Sequence, residues 1–258
     1  MNGSPETKKT SPGFLIMNAD DWGRDRVTTD KIVDCAAKGS VSSVSAMVFM
    51  DDSQRSADLA RERGIEGGLH INFTLEFSDP KCPPELLRRQ RELGRFLLWH
   101  RFTRVLYHPG LAQAFDYVTR AQYDEYERLY GHPARKVDGH HHMHLCANVL
   151  RQQLLPDGVL VRKGFSFFRG EKSALSRVYR HIQNQNLGRR HRVTDYFFSL
   201  PPLTPESRLR RIFDLAKDSV VELETHPINP DEYEYLTKGR IFQDIGTARI
   251  APPSAMLS

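Results

Sequence analysis

Cysteine is scarce. Cys35, Cys82 and Cys146 are the only three in 258 residues. An odd number without short pairing argues against a disulfide framework and for a reducing compartment. Long apolar runs are also missing. No stretch approaches the ~18 apolar residues that a membrane-spanning helix needs, and the mean hydropathy is −0.53. The first twelve residues, 1–12, are polar, include Lys8 and Lys9, and lack the apolar core of a secretory signal. They read as a disordered lead-in to a cytoplasmic protein. Internal repeats, a clear linker and a nucleic-acid-binding motif are absent too, so no nucleic acid partner is expected. A sizeable core is still within reach at 39% hydrophobic content. The length suits one barrel-type α/β domain or two small domains.

Positive charge is in modest excess, +5 overall, and it is unevenly spread. Between residues 84 and 107 lie Arg88, Arg89, Arg91, Arg95, Arg101 and Arg104, against the two acids Glu85 and Glu92. Leucines, phenylalanines and Trp99 interleave with them. Two readings of this basic amphipathic stretch stand side by side. One is a helical lid with leucines on the fold and arginines in water. The other is a surface for anionic lipid headgroups or a substrate's phosphate, peripheral at the inner membrane face. The clusters Arg189-Arg190-His191-Arg192 and Arg208, Arg210, Arg211 read as solvated helix faces.

Histidine is concentrated. Four of the eleven fall in Val137-Asp138-Gly139-His140-His141-His142-Met143-His144. Neutral imidazole is the commonest metal ligand. In a strand, His140, His142 and His144 would share one face; in a helix, His140 and His144 would. Either geometry converges imidazoles on one point. An expression tag would lie at a terminus, whereas this run is central. Cys146 lies near enough to be a soft ligand, but a lone cysteine is more often a small buried hydrophobe.

Along the chain, strands are expected over 14–19, 41–49, 66–73, 136–138, 158–162, 192–198 and 219–225. Helices are expected over 28–38, 53–63, 111–130, 148–155, 173–186, 205–217 and 231–236, two of them stopped by Gly39 and Gly64. Residues 78–110 read as a long irregular segment, an insertion or lid over the site. Residues after Gly246 read as a loose tail, 247–258. The alternation predicts an α/β fold: an irregular (β/α) TIM-like barrel of mostly parallel strands, as a single domain over 13–246.

Polar residues gather where strands end: Asp20-Asp21, His70, the His140 cluster and His226. In barrel enzymes that C-terminal rim collects the catalytic groups. One of the paired aspartates could merely cap the next helix, but two adjacent carboxylates facing one cation is the sharper reading. His70 and His226, taken singly, would be structural histidines. Pro227 biases His226 to extended backbone, which suits a strand end. One Asp and two His around a divalent ion leave positions open for water.

The segments Asn18-Ala19-Asp20-Asp21-Trp22-Gly23, Val41-Ser42-Ser43-Val44-Ser45, Gly68-Leu69-His70, Asp138 to Leu145 and Glu224-Thr225-His226-Pro227 together resemble the YdjC-like carbohydrate deacetylases. That family includes chitooligosaccharide deacetylases and hopanoid-associated homologues. The likeness spans residues 14–230 in the family's order. Trp22 replaces the usual Phe, and 78–110 matches nothing in the pattern, which leaves substrate choice open. The resemblance implies a metal-dependent N-deacetylase in which Asp21, His70 and His140 hold the metal and Asp20 lies near the reacting water. Zinc suits two imidazoles and a carboxylate best, with manganese, cobalt or nickel as alternatives. Magnesium prefers oxygen ligands and fits less well.

On this reading Asp20 is the general base and His226 the general acid that protonates the leaving amine. Asp138, two residues before His140, would orient a ligand. His142 and His144 would line the site or hold sugar hydroxyls, and Asn72 and Trp22 complete the candidates for substrate or supporting contacts. The substrate expected is an N-acetylated sugar or oligosaccharide, carried on a lipid or diphosphate if the basic segment meets a membrane. A homodimer is left open. Two alternatives remain at this point. A phosphoesterase-like metallohydrolase usually needs two metals. A non-catalytic carbohydrate-binding relative would have no need of a paired acid and base.

Overall fold

A computed structural model describes residues 13–168, 171 and 174–256. The lead-in expected over 1–12, the start of the helix expected from 173 and residues 257–258 lie outside them. Seven strands are present: β1 (Phe14–Trp22), β2 (Ser43–Ala46), β3 (Gly67–Ile71), β4 (Lys136–Gly139), β5 (Leu160–Val161), β6 (Tyr196–Ser199) and β7 (Val220–Thr225). They form one sheet in the order β5-β4-β3-β2-β1-β7-β6, and every pairing is parallel. The two edges approach through an isolated bridge from Leu160 of β5 to Arg192, ahead of β6, and through Ser166 N–H, beyond β5, donating to Phe197 O of β6 at 2.8 Å. The sheet is therefore a curled, irregular (β/α) barrel, as the alternation of elements predicts.

Nine helices pack around it among the described residues: α1 (Arg26–Ala37), α2 (Ser53–Arg63), α3 (Pro84–Trp99), α4 (Ala112–Tyr130), α5 (Ala147–Arg151), α6 (Ala174–Gly188), α7 (Glu206–Leu215), α8 (Pro230–Thr237) and α9 (Arg240–Asp244). Local chemistry sets their ends. Asp25 caps α1 by accepting from Thr28 N–H at 2.8 Å. Gly64 and Gly131 close α2 and α4 in the left-handed conformation. No described helix is long and apolar enough to cross a membrane.

All nine residues of β1 are buried, because helices cover one face and the barrel interior takes the other. Leu15, Met17 and Ala19 join the main core with Val44, Leu69, Val137, Val161, Val221 and Leu223. The alternate residues turn inward. Phe14 and Ile16 form a small cluster with Ala251, and above them the interior becomes polar. Strands β3 and β4 run unusually close at Gly68, where an added Cβ would lie 2.4 Å from Lys136 O.

Three expectations need correction. The segment 78–110 is not irregular, since it holds the sixteen-residue helix α3. Pro80 and Pro83 precede the helix, Pro84 opens it, and Pro109 lies beyond its end. Leu86, Leu93 and Leu97 recur at helical spacing and are buried. The tail is not loose over its described part: Leu15 N–H donates to Arg249 O, and Ala251 N–H donates to Leu15 O. The backbone at the start of β1 recruits it. Strand β2 is four residues long rather than nine, because residues past Ala46 turn to start α2.

Candidate active site

The rim is built where β1, β3, β4 and β7 end. Strand β1 carries an irregularity between Ala19 and Trp22, and Asp21 sits at φ 66°. Consecutive strand residues normally face opposite ways; a bulge re-aims one of them. Asp20 and Asp21 consequently reach the same space.

Asp21 Oδ1 lies 3.0 Å from His140 Nδ1 and 3.7 Å from His70 Nε2. Both Asp21 Oδ1 and His70 Nε2 are buried and make no hydrogen bond among the described residues. Buried polar atoms are almost always paired, so two orphans facing each other mark a place for a cation. Together, one ligand atom from each of Asp21, His70 and His140 falls within 4.8 Å of the others. Asp21's other oxygen is occupied by Arg24 at 2.7 Å. Burial lifts the Asp21 carboxyl, but the His140 contact and the His70 charge bring it down to about 2. It offers an anionic oxygen at neutral pH.

His70 Nδ1 bonds Asp138 Oδ1 at 2.7 Å, which fixes the ring and leaves Nε2 for the cation. Asp138 in turn accepts from Ser45 and Lys136, each at 2.6 Å. Asp20, His70 and Asp138 also cluster tightly, but their oxygens are already engaged, so the first triad is the better ligand set.

Asp20 belongs to a different arrangement. Arg162 grips it with two bonds of 2.7 Å, one to each oxygen. Burial pushes the Asp20 carboxyl up, yet Arg162 and His70 hold it well below the usual carboxylate range. Oδ1 also accepts from Asn18 at 2.8 Å. Oδ2 is the freer oxygen, and His226 Nε2 stands 3.9 Å from it. His226 is held by its backbone: its N–H and the Thr225 hydroxyl both donate to Glu232 Oε2, at 2.9 and 2.7 Å.

The histidine run is neither strand nor regular helix. Residues His140–Leu145 make 3-10 turns, with His141 and His142 in left-handed backbone at φ 53° and 57°. Each histidine therefore points somewhere different. His140 meets Asp21. His141 Nδ1 contacts the Thr74 hydroxyl at 3.1 Å. His142 lies edge-on to Phe165 and Phe197, with Nε2 3.7 Å from Glu224. Burial first, then the Arg162 charge, keeps His142 neutral. His144 is fully buried, and its Nε2 contacts Arg162 O at 2.8 Å, so it supports Arg162 from behind and lines no site. Burial pulls its pKa down to about 4.

Two other sequence candidates are also turned away. Trp22 is fully buried in the core. Asn72 is fully buried too; its side chain ties the 72–75 turn through Thr74 and Leu75 N–H. Neither can touch a substrate. Cys146 is buried, with its thiol pushed up to about 11 by burial. It packs as a hydrophobe.

Sequence reasoning missed the interior charges. Arg162 is wholly buried and touches Asp20, Asp138 at 3.1 Å, Glu222 at 2.9 Å and Glu224 at 3.3 Å. Lys136 adds a second buried cation, 3.3 Å from Glu222. Burial and the Asp20 charge raise the Glu224 carboxyl well above its ordinary value. A signal existed: Lys136 and Asp138, and Glu222 and Glu224, alternate within strands otherwise apolar. A cavity of about 880 Å³ lies at the opposite end, lined by Gly67, Tyr126, Lys136 and Leu160. It takes no part in this chemistry.

Fold and rim together define a parallel (β/α) barrel protein with one candidate Asp-His-His cation site beside an arginine-clamped aspartate. The chain belongs to the YdjC-like family, whose model, described as YdjC-like protein, matches residues 14–245. Among curated relatives, it is 32% identical over 161 residues to a chitooligosaccharide deacetylase of Proteus mirabilis (strain HI4320), covering 58% of this chain and 61% of that protein. It is 31% identical over 175 residues to a chitooligosaccharide deacetylase of Yersinia pestis (strain Pestoides F), covering 67% of this chain and 62% of that one. The match thus spans about three fifths of the length of these relatives. In fold, the chain is similar to an Enterococcus faecalis V583 protein provisionally assigned to cellobiose-phosphate cleavage. The TM-score is 0.64 at 18% identity, over 95% of this chain and 99% of that one.

Proposed function

We propose that this chain is a metal-dependent hydrolase that removes the acetyl group from an N-acetylated sugar or short oligosaccharide, leaving acetate and a free amine. The observation that carries the reading is the pair of buried, unbonded atoms, Asp21 Oδ1 and His70 Nε2, facing His140 beside Asp20. The names of the curated relatives support the substrate class.

The donor set of one carboxylate and two imidazoles fits a divalent ion, zinc first, with manganese, cobalt or nickel behind it and magnesium least suited. Such an ion, when bound, polarises a carbonyl and lowers the pKa of water. The chain's own groups do the rest. Asp20 takes the proton of the attacking water through Oδ2, its freer oxygen. Arg162 keeps Asp20 ionised and fixes its plane. His226, across from Oδ2, gives a proton to the departing amine. Asp138 orients His70. Neutral His142, backed by Phe165, offers an apolar edge and a ring nitrogen to a sugar.

A phosphoesterase reading would favour two metal sites; the second candidate triad has its oxygens already bonded, which weighs against it. The choice between a free and a lipid-carried sugar depends on the surface beside the rim rather than on these residues. The test is metal content and acetate release from N-acetylated sugars. His70→Ala and His140→Ala should each lose bound metal and acetate release together. Full metal occupancy in both variants would refute the assignment.

A further inference from the structure

We infer that the last residues of α3 and the turns following it dock this protein on an anionic lipid bilayer. The body of the helix is engaged with the fold. Leu86, Leu93 and Leu97 are buried, Arg88 and Arg89 bind Glu85, and Arg91 binds Glu76. Past Leu97 the pattern breaks. Leu98, Trp99, Phe102, Val105, Leu106 and Tyr107 are all exposed, Trp99 by 82% and Leu106 by 58%. Single exposed apolar residues are ordinary, but a contiguous patch marks an interaction surface.

This knob is built, not loose. Thr103 is buried, and its hydroxyl donates to Leu97 O and His100 O at 2.9 and 2.6 Å. Asn148 closes the far end, accepting from His108 N–H and donating to His108 O, both at 2.9 Å. The apolar side chains are thus held outward by an ordered backbone.

Charge selects the occupant. Arg95, Arg101 and Arg104 make no ion pair among the described residues, and no Asp or Glu lies between Glu92 and Asp116. A second copy meeting this face across a two-fold axis would set these arginines against themselves. Anionic headgroups complement them, while exposed Trp and Tyr rings suit the bilayer interface.

Position links the knob to the rim. Gln90 of α3 donates to Leu75 O at 2.6 Å, in the same turn as Thr74, which contacts His141. Asn148 belongs to α5, which comes directly after the histidine turns. A docked molecule would hold its rim near the headgroups. The consequence for substrate rests on the deacetylase reading: the N-acetyl sugar is one carried on a lipid. Docking itself does not depend on that reading.

The test uses the full chain with vesicles of phosphatidylcholine alone or mixed with phosphatidylglycerol. Co-sedimentation should require the anionic lipid and collapse at about 1 M salt, where the Debye length is about 3 Å. There are two tryptophans, and Trp22 is buried, so a blue shift on binding reports Trp99. Trp99→Ser with Leu106→Ser, and Arg101→Glu with Arg104→Glu, should each weaken partitioning by at least about tenfold. Melting temperature and acetate release from a short soluble chitooligosaccharide should stay unchanged in both. Vesicle binding in a chain that releases no acetate from any sugar would sustain docking and sink the deacetylase reading. No binding to anionic vesicles at low salt, binding untouched by both double variants, or a dimer in solution that Trp99→Ser with Leu106→Ser dissolves would each overturn docking.

Discussion

Replacing Arg162 by methionine strikes the site at its centre. Arg162 is fully buried and bonds Asp20 twice at 2.7 Å, Glu222 at 2.9 Å, Asp138 at 3.1 Å and Glu224 at 3.3 Å. Without it, the carboxyl groups of Asp20, Asp138, Glu222 and Glu224 keep Lys136 as their buried basic neighbour among the described lysines and arginines. Removing one partner of a buried charge network costs about 3–5 kcal/mol, and for a chain of this size the melting temperature should fall on the order of 10 °C. The pH behaviour is the sharper readout. In the native chain burial raises the Asp20 carboxyl, but Arg162 and His70 together offset it and keep the group well below its ordinary 3.8. On the proposed mechanism a general base works only while ionised, so the native acidic limb of acetate release should not be set by Asp20. In Arg162→Met, only the His70 charge is left to oppose burial and the Asp138 charge, so Asp20 should rise. The acidic limb should then move to higher pH. The stability sign agrees. A carboxylate with a depressed folded pKa contributes stability that is present above the unfolded value and lost as pH falls. The variant should lose that contribution and show a flatter decline below about pH 4. Arg162→Lys restores one charge without the two-pronged grip, so it should recover part of the shift. A folded Arg162→Met with an unchanged acidic limb would refute the role given to this arginine.

Asp20→Asn should keep its metal, because Asp20 lies outside the ligand triad, yet lose at least ~10²-fold in turnover; near-normal acetate release would show another base at work. His226→Ala should lose about as much, with metal content again the control. His144 titrates at about 4 when folded against 6.5 ordinarily, so its contribution, about 3 kcal/mol, is present above pH 6.5 and lost as pH falls toward 4. Urea unfolding of His144→Gln at several pH values should show a shallower acid decline, and an identical slope would count against the buried neutral imidazole. Gly68→Ala forces a Cβ to within 2.4 Å of Lys136 O and should destabilise by about 1–3 kcal/mol or more, read as a lower melting temperature.

Much was determined by the sequence alone. Alternating apolar strands and helical stretches with glycine stops specify a parallel (β/α) barrel, because those periods are local. The rim residues Asp20, Asp21, His70, His140 and His226 were legible because turn-forming neighbours mark the strand ends: Gly23, Pro227 and the Asp138-Gly139 pair. The helix at Pro84–Trp99 was obscured by the prolines ahead of it. Tertiary structure decided what depends on contacts between distant strands. The left-handed turns at His141 and His142 scatter a run whose spacing promised convergence. A bulge in β1 brings Asp21 to the candidate cation site while Asp20 stays with Arg162. Above all, Arg162 is 142 positions from Asp20 in sequence. Nothing local ties the two together. Only the closing barrel removes both from water, and that burial makes their pairing obligatory.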